Sequence, residues 1–393
     1  MTLREKIGRE IRECGPIRFS RYMELCLYDP ELGYYSRNAE QFGKAGDFYT
    51  SSDVHAVFGR LLARQFEEMW RALGAPPQIE ILELGPGRGL FAQDVLDWSE
   101  KKFPEFCNAV HYSLQERSPA LREKLRSTLS RRFLGGKVSL LASTNLANST
   151  SGTEKDSGRF FERTLAADIP VIVFANEFFD ALPVEVVSAD GELRIAEQDG
   201  RFLETWVPAT PEELEFIDRY GVHPEDDERV EIPLLAQSYI SEVAAGVVRG
   251  FVIVIDYGYT RQEQLAGRHR GTVTAYRQHS VRANPYQAPG EQDITAHVNF
   301  TALAAAAEQE EMQVQPLLTQ SQFLMGIGEQ TQFADAFEQC RGPQERAKVA
   351  LQLKHLVTPA GMGETFHVLV ASKGVDAPGF AALSGLSFGK GRP

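Results

Sequence analysis

The chain has 393 residues, 43% of them hydrophobic, and its 54 acidic and 41 basic side chains give a formal net charge of -13. This composition is typical of a globular protein built from one elaborated domain or two domains. An acidic surface repels phosphate backbones, so we do not expect nucleic acid as a partner.

The cysteines and the N-terminal segment give an expectation about location. The four cysteines are far apart and form no CxxC pair, so the sequence predicts neither a disulfide framework nor a metal site. No apolar run reaches the roughly 18 residues that span a bilayer. The first fifteen residues lack the apolar core of a signal peptide, and their glutamates argue against a mitochondrial transit peptide. We therefore expect a cytoplasmic protein that begins at Met1 and is not inserted in a membrane; its oligomeric state is left open.

The N-terminal region, residues 1–77, is predicted to be helical and to lie on the substrate side. Apolar residues at four-residue spacing predict a helix over residues 2–13. Ser20 is expected to cap a second helix that ends near residue 30, and a third helix is predicted over residues 53–73.

After residue 77 the pattern changes to strands that alternate with helices. Uniformly apolar strands between helices imply a parallel sheet that is covered on both faces. The sequence therefore predicts an α/β fold whose core comprises residues 78–183 and 250–373. The predicted strands are 79–84, 110–115, 138–141, 171–175, 251–256 and 365–372, and the predicted helices are 90–103, one opened by Ser118-Pro119, one near 300–310 and 343–357.

An insertion is predicted at residues 184–249, between two strands of that sheet. Residues 184–208 alternate like hairpins, and residues 211–248 are predicted to be largely helical. We interpret this stretch as a cap. Residues 271–300 are loop-like, and the tail, residues 374–393, is expected to be loosely held.

The first predicted strand of the core runs into a glycine-rich loop, Glu83-Leu-Gly-Pro-Gly-Arg-Gly89. Glycines at 85, 87 and 89 let the backbone pass close to a ligand. A dinucleotide fingerprint counted from Gly85 would need glycine at position 90, which is Leu90. The spacing of Gly85, Gly87 and Gly89 is the one usual for S-adenosylmethionine, which has no pyrophosphate. The alternative is a purely structural turn.

Glu116 ends the next predicted strand, where a carboxylate can accept hydrogen bonds from both hydroxyls of a ribose. The alternative is a surface ion pair with the adjacent Arg117. Glu83 is expected to orient the glycine loop or to meet the amino group of the cofactor, and not to perform catalysis.

Asn176, Glu177 and Asp180 follow the strand predicted at 171–175. Ligands of parallel sheets bind beyond the carboxyl ends of the strands, so these groups should face the same cleft as the glycine loop. Glu177 and Asp180 are three residues apart and can share one side of a helical turn. They either cap that turn or hold a cation.

Three further candidates lie in the second half of the core. Residues 256–258 stand at another strand end and are candidates for the cleft lining. His297 and His279 are candidate proton acceptors, although a single histidine in a loop is more often structural.

Five motifs in order resemble the MidA-like family over nearly the whole chain: YDPELGYYS (28–36), GDFYTSSDVHAVFG (46–59), ELGPGRG (83–89), NEFFDALPVE (176–185) and PGEQDITAHVNF (289–300). The resemblance implies a class I methyltransferase (Rossmann-like) fold with S-adenosylmethionine as cofactor. Through the mitochondrial member, which acts in complex I assembly, it also implies a protein arginine as substrate and a subunit of respiratory complex I as partner.

The resemblance also implies roles for particular residues. Gly46 and Asn176 join the glycine loop around the cofactor, and Asp47 and Glu177 border the reacting end. The chain departs from the family in two places. It has Ser51-Ser52-Asp53 where Ser-Pro-Glu is common, and Asn299 where aspartate is common, which removes a carboxylate from the expected substrate side.

Methyl transfer is an in-line displacement, so catalysis is mostly the positioning of two reactants. A guanidinium stays protonated, with a pKa above ~12. Two carboxylates can bind it through bidentate contacts and localise its charge on one nitrogen, which leaves another nitrogen to attack. We expect Glu177 to be the principal clamp, with Asp180 or Asp47 as the second.

The sequence thus predicts an S-adenosylmethionine-dependent methyltransferase that acts on a protein arginine. The alternatives are a small-molecule N- or O-methyltransferase and a non-catalytic assembly factor for a respiratory complex. A nicotinamide-dependent oxidoreductase is disfavoured by Leu90.

Overall fold

The computed structural model describes residues 1–37, 56–141, 169–277 and 284–388. Its first helix begins where Thr2 accepts a hydrogen bond from the backbone of Glu5 and the Glu5 side chain returns one, a capping box that satisfies free amides of the first turn. The N-terminal elements are α1 (Leu3–Cys14), β1 (Ile17–Arg18), α2 (Phe19–Tyr28), α3 (Tyr34–Arg37) and α4 (Ala56–Ala72).

The first half of the core alternates strands and helices, as the sequence predicts. Ser118 caps the helix that begins at Pro119, and a proline at that position has no amide that would need a partner. The elements are β2 (Ile79–Leu84), α5 (Leu90–Lys102), α6 (Pro104–Ala109), β3 (Val110–Gln115), α7 (Pro119–Thr128), α8 (Ser130–Leu134), β4 (Val138–Leu140) and β5 (Val171–Asn176).

The inserted segment forms an antiparallel sheet, and its helical part is shorter than expected. Residues 229–232 are a strand paired with the first strand of the insertion, so the prediction of a largely helical 211–248 is wrong there. The elements are β6 (Glu185–Ser188), β7 (Gly191–Gln198), β8 (Arg201–Val207), α9 (Pro211–Tyr220) and β9 (Arg229–Ile232).

The second half of the core returns to the central sheet. Short strands interrupt residues 271–300, which the sequence had indicated as loop. The elements are α10 (Leu234–Gly246), β10 (Gly250–Tyr259), α11 (Arg261–Leu265), β11 (Thr274–Tyr276), β12 (Asp293–Thr295), β13 (Val298–Asn299), α12 (Phe300–Gln309), β14 (Gln313–Val314), β15 (Leu318–Thr319), α13 (Gln320–Glu329), α14 (Ala334–Phe337), α15 (Pro343–Val357), β16 (Phe366–Lys373), α16 (Ala377–Ala381) and a 3₁₀ turn (Ser384–Leu386).

The central sheet has the strand order β14-β16-β10-β5-β2-β3-β4, with β13 and β15 as short additions. Strands β10, β5, β2, β3 and β4 are parallel, and β16 lies antiparallel to β10. The predicted α/β fold with a mostly parallel sheet is confirmed. Because β2 and β5 are neighbours, the loops that follow them leave the same edge of the sheet.

Helices cover both faces of this sheet, which explains the uniformly apolar strands. In β2, Ile79 and Ile81 pack on the face covered by α4 and α5, and Leu82 and Leu84 pack on the face covered by α10 and α12. Among the helices that the structure describes, none combines the length and apolar content needed to cross a bilayer.

Two local expectations are corrected. Helix α2 begins at Phe19 after Arg18, and the Ser20 hydroxyl does not cap it but donates to Glu185 Oε1 at 2.6 Å. The tail is packed as far as residue 388: Leu383 and Leu386 are buried in the core beside α4, and Glu68 accepts hydrogen bonds from the amide and hydroxyl of Ser384. Leu383 and Leu386, three residues apart, thus anchor this segment to the core.

The proposed division into domains stays a prediction, and two contacts bear on it. Strand β1 pairs with β7, so the N-terminal region and the insertion share one antiparallel sheet. Helix α10 packs on the central sheet through residues such as Ile240 and Val243, although the sequence assigned it to the cap.

Candidate active site

Three segments meet at the carboxyl edge of the central sheet. They are the glycine loop (residues 85–89) after β2, Glu116 after β3, and residues 176–180, which begin at the last residue of β5 and which we call the acid turn. Phe178 of the acid turn lies against Gly85, and Tyr239 packs on Phe178 with ring centroids 5.2 Å apart. The two loops are therefore in contact.

Each glycine of the loop has a positive φ, but the three positions differ in the space around them. A Cβ on Gly85 would lie 2.8 Å from Phe178, and one on Gly89 would lie 2.7 Å from Leu125. A Cβ on Gly87 would meet nothing within 4 Å. Gly85 and Gly89 thus allow tight packing, whereas Gly87 leaves open space above the loop.

Glu116 is buried and turned toward the glycine loop. Its Oε1 accepts the amide of Ser118 at 2.8 Å, and the amide of Gly87 also donates to its carboxylate. Burial raises the pKa of Glu116 to about 7, although these hydrogen bonds by themselves lower the pKa. An acceptor held beside an open glycine is suited to the hydroxyls of a ribose. Glu116 does not form the alternative surface ion pair with Arg117, since the guanidinium of Arg117 pairs with Glu24 instead.

Glu83 is buried inside the same edge. The hydroxyl of Tyr112 donates to its Oε2 at 2.8 Å. Burial raises the pKa of Glu83 to about 8, and the nearby carboxylate of Glu116 adds to this effect. Glu83 is therefore placed to orient the loop, and its contact with a cofactor stays a prediction.

The acid turn begins with an unusual backbone conformation. Glu177 has a φ of 50°, which costs energy in a residue other than glycine and is found most often at functional sites. The backbone amide of Glu177 donates to the carbonyl of Ile255 at 2.9 Å. Its Oε1 accepts a hydrogen bond from the side-chain Nδ2 of Asn176 at 3.1 Å. Asn176 Oδ1 is buried and has no hydrogen-bond partner among the described residues.

Asp256 of β10 holds the acid turn in place. Its Oδ2 accepts the backbone amides of Phe178, Phe179 and Asp180 at 3.2, 3.0 and 3.3 Å, and its Oδ1 accepts the amide of Tyr257 at 2.9 Å. Sequence reasoning had placed Asp256 only in the cleft lining. Asp256 ends the strand predicted at 251–256, whereas β10 continues to Tyr259. The backbone partners of Asp256 come from the loop that follows β5.

Asp180, the last residue of the acid turn, is buried close to Tyr257. Burial raises the pKa of Asp180 to about 6, and the nearby hydroxyl of Tyr257 opposes this shift. Burial and the neighbouring carboxylates of Asp180 and Glu177 raise the pKa of Asp256. The structure thus brings the carboxylates of Glu177, Asp180 and Asp256, all candidates from the sequence, close together beside Tyr257.

Other candidates fall elsewhere. Gly46, Asp47 and His279 lie outside the described residues. His297 Nδ1 is 3.0 Å from His269 Nδ1, and burial lowers the pKa of His297 to about 4, so the ring is neutral near pH 7. It is a member of a histidine pair and not an isolated base.

Asn299, which stands where the family commonly has aspartate, is a helix cap. Its Oδ1 accepts the amide of Ala302 at 3.0 Å, and its Nδ2 donates to the carbonyl of Tyr220 at 3.0 Å. Its partners belong to α12 and α9, so the change from aspartate removes no group from the acid turn.

The sequence predicts no metal, and that expectation stays untested. Among the described residues, oxygens of Glu185, Glu192 and Glu213 lie within 4.8 Å of one another. The guanidinium of Arg18 lies 3.2 to 3.8 Å from the three carboxylates and supplies the positive charge there.

The described residues fit S-adenosylmethionine. Gly87 leaves room for a ligand to approach the backbone closely, and the carboxylate of Glu116 can accept hydrogen bonds from a ribose. Asn176 Oδ1 is a buried acceptor without a hydrogen-bond donor among the described residues. Fold and site together define an S-adenosylmethionine-dependent methyltransferase. A family described as "Putative S-adenosyl-L-methionine-dependent methyltransferase" matches residues 61–317, and the chain belongs to this family.

Solved and curated relatives agree with this assignment. A crystal structure of a Burkholderia thailandensis protein bound to S-adenosyl-homocysteine matches with a TM-score of 0.79 and 28% identity, over 98% of this chain and 94% of that one. The mitochondrial protein arginine methyltransferase NDUFAF7 of Danio rerio is 27% identical over 93% of this chain and 85% of its own length. The corresponding protein of Drosophila melanogaster is 30% identical over 78% and 70%.

The names of the curated relatives correct the expectation about the location of the protein in the cell. The curated relatives are mitochondrial proteins, which contradicts the cytoplasmic location expected from the sequence. The physical reason is that separated cysteines indicate a reducing environment without distinguishing one reducing compartment from another.

Proposed function

We propose that this methyltransferase modifies an arginine side chain of a protein. The observation that carries the proposal is the cluster of Glu177, Asp180 and Asp256 beside the glycine loop. Within the described ranges, no lysine or arginine forms an ion pair with Asp180 or Asp256. A buried acidic excess at this edge favours a cationic acceptor.

The three carboxylates have different tasks. Asp256 uses both oxygens for backbone amides, so it positions the turn. We assign Glu177 and Asp180 to the guanidinium, which carboxylates bind through paired, charge-assisted hydrogen bonds. Asp47, expected from the sequence as an alternative second clamp, keeps that role as a prediction.

The chemistry follows from this arrangement. When bound, S-adenosylmethionine supplies an electrophilic methyl group on a sulfonium centre. The clamp concentrates positive charge on the nitrogens that face Glu177 and Asp180, so the lone pair of the remaining nitrogen forms the new N–C bond as the S–C bond breaks. Transfer would leave the guanidinium with one excess proton, which passes to Asp180 along the hydrogen bond that joins them, because burial raises the pKa of Asp180 to about 6 and makes it a better base than an ordinary aspartate.

The names of the relatives support the same acceptor, since the Danio rerio and human proteins are called protein arginine methyltransferases. We infer a protein partner that presents an arginine, and a subunit of respiratory complex I is the first one to test.

The test is the transfer of a radioactive methyl group by the purified enzyme into a lysate of cells that lack it. Label in protein, recovered as methylarginine after acid hydrolysis, is the expected result. Label confined to small molecules would replace arginine by the small-molecule alternative. No label anywhere, from enzyme that binds S-adenosylhomocysteine, would favour a non-catalytic assembly factor.

A further inference from the structure

A pocket of about 420 Å³ lies behind the cofactor edge, between α3 and the start of α7. Three arginines line it, Arg117, Arg122 and Arg126, together with the rings of Tyr28 and Tyr35. We call it the arginine pocket. Three guanidinium groups around one cavity are unexpected in a chain with a net charge of -13.

The guanidinium of Arg122 has only neutral partners. Its Nη1 donates to the carbonyls of Glu116 and Leu141 at 2.9 and 2.8 Å, and within the described part of the chain no carboxylate lies at ion-pair distance from it. Burial and the charge of Arg126 lower the pKa of Arg122. Among the residues that the structure describes, the charge of Arg122 is therefore not paired with a carboxylate, and only the more distant Glu116 attracts it.

The other two arginines are only partly neutralised. Arg126 pairs at 3.5 Å with Glu123, whose side chain is 79% exposed, and such pairs contribute little. Arg117 lies over the ring of Tyr28 at 5.0 Å and is 3.3 Å from Glu24. A carboxylate that enters the pocket would meet planar donors suited to bidentate contacts.

The tyrosine walls connect this pocket to the active site. The hydroxyl of Tyr28 donates to the carbonyl of Ala181, the residue after Asp180, at 2.9 Å. The hydroxyl of Tyr35 donates to Asp293 at 3.0 Å, and the Tyr35 carbonyl accepts the hydroxyl of Ser118 at 2.8 Å. One layer of tyrosine thus separates the arginine pocket from the acid turn.

We propose that the arginine pocket binds an acidic side chain of the protein substrate, near in sequence to the arginine that enters the acid turn. This inference rests on the proposed function. The two sites have opposite charge and lie on either side of Tyr28, so they would recognise a segment that carries a base and an acid. The overall negative charge of the chain opposes a long polyanion in the same place.

The test uses fluorescent peptides with one arginine in a glycine-serine context. Each carries a pair of aspartates two, four or six residues before or after the arginine, and a matched peptide carries asparagines instead. Binding is measured by anisotropy with S-adenosylhomocysteine present, so it does not depend on turnover. In at least one register the aspartate peptide should bind about tenfold tighter, the size expected of charge-assisted hydrogen bonds.

Variants of the pocket localise the effect. Arg126→Glu should remove the preference for aspartate, and Arg122→Gln should weaken it. Arg131→Glu is the matched control, since Arg131 is 85% exposed and lies outside the pocket on α8, and it should keep the preference. Affinity for S-adenosylhomocysteine reports whether Arg122→Gln has disturbed Glu116, and Arg126→Glu avoids that contact.

The outcomes separate the two proposals. Equal binding of aspartate and asparagine peptides in every register, or a preference that survives Arg126→Glu, would overturn the arginine pocket as an acid site. If the asparagine peptides are still methylated on arginine, the proposed function stands in that case. If no arginine peptide binds or is methylated, both proposals are overturned.

Discussion

Asp256 and Asp180 are joined through the backbone: Asp256 Oδ2 accepts the amide of Asp180 at 3.3 Å, together with the two amides before it. The side chain of one strand thereby fixes the loop that follows its neighbour. Because Glu177 enters this turn with a φ of 50°, the turn needs such an anchor to persist.

Replacement of Asp256 by asparagine should separate positioning from binding. Both oxygens of Asp256 accept hydrogen bonds from backbone amides. In asparagine, the NH₂ group that replaces one oxygen is itself a donor and would face a backbone N–H without forming a hydrogen bond. We expect kcat to fall about 100-fold, as for small misplacements of reacting groups. The free energy of unfolding should fall by about 2 kcal/mol. Methyl-transfer kinetics and urea unfolding measure the two effects.

The matched control for that change is Asp226→Asn at an exposed site of the insertion. It should leave both quantities unchanged. Affinity of Asp256→Asn for S-adenosylhomocysteine should fall much less than kcat, because Asn176 is the only predicted cofactor contact on the acid turn and the others lie on other loops. An unchanged kcat in Asp256→Asn would contradict the positioning role.

The glycine loop allows a sharp comparison between Gly87 and Gly136. Both have positive φ, 53° and 66°, and an added Cβ meets nothing within 4 Å at either position. Alanine should therefore cost about 1 kcal/mol of stability in each variant. Only Gly87→Ala should lose affinity for S-adenosylhomocysteine, by at least about tenfold, since of the two glycines only Gly87 is predicted to lie against the cofactor. Calorimetric titration of both variants checks this, and equal affinities would exclude Gly87 from the site.

The pKa of Glu83 predicts how stability depends on pH. Since burial raises this pKa to about 8, the folded protein keeps a proton that the unfolded chain loses above the ordinary glutamate pKa of 4.5. The stabilisation is complete below that value and is lost as pH rises through about 8, by a few kcal/mol at most. Urea unfolding between pH about 5.5 and 8.5 should show the decline.

Glu83→Gln should flatten that decline, because the amide carries no titrating proton. Glu123→Gln, whose parent side chain is 79% exposed, should leave the slope unchanged. Some slope should remain in Glu83→Gln from Glu116, whose pKa burial raises to about 7. An unchanged slope in Glu83→Gln would show that Glu83 does not hold the proton.

Glu116 gives the opposite pH dependence for binding. Its ionised carboxylate is the better acceptor for ribose hydroxyls, so affinity for S-adenosylhomocysteine should rise as pH increases through about 7. Glu116→Gln should bind more weakly at pH 8 and show no such rise. An affinity that is flat with pH in wild type would place the ribose elsewhere.

The cofactor edge could be predicted from sequence because its signals are local. Glycine spacing, the carboxylate at the end of β3 and uniformly apolar strands each occupy a few consecutive residues. Gly85 and Glu116 are therefore where the pattern indicated.

The remaining features depend on partners far away in the chain. Ser20 is of a residue type that often caps helices, but its hydroxyl donates a hydrogen bond to Glu185 Oε1 at 2.6 Å instead. The tail has no local pattern that predicts its packing: Leu383 is buried in the core, and Ser384 binds Glu68, which is 316 residues earlier. Likewise, no local pattern indicates that Asp256 would serve amides 76 to 78 residues earlier.

The central claim is that Glu177 holds the guanidinium of the acceptor. The direct measurement compares wild type and Glu177→Gln for methyl transfer to an arginine acceptor and for affinity to S-adenosylhomocysteine. The clamp acts on the acceptor alone, so we expect transfer to fall by at least about 1,000-fold while affinity stays within about twofold. Equal losses of transfer and affinity, or transfer that persists in Glu177→Gln, would contradict the claim.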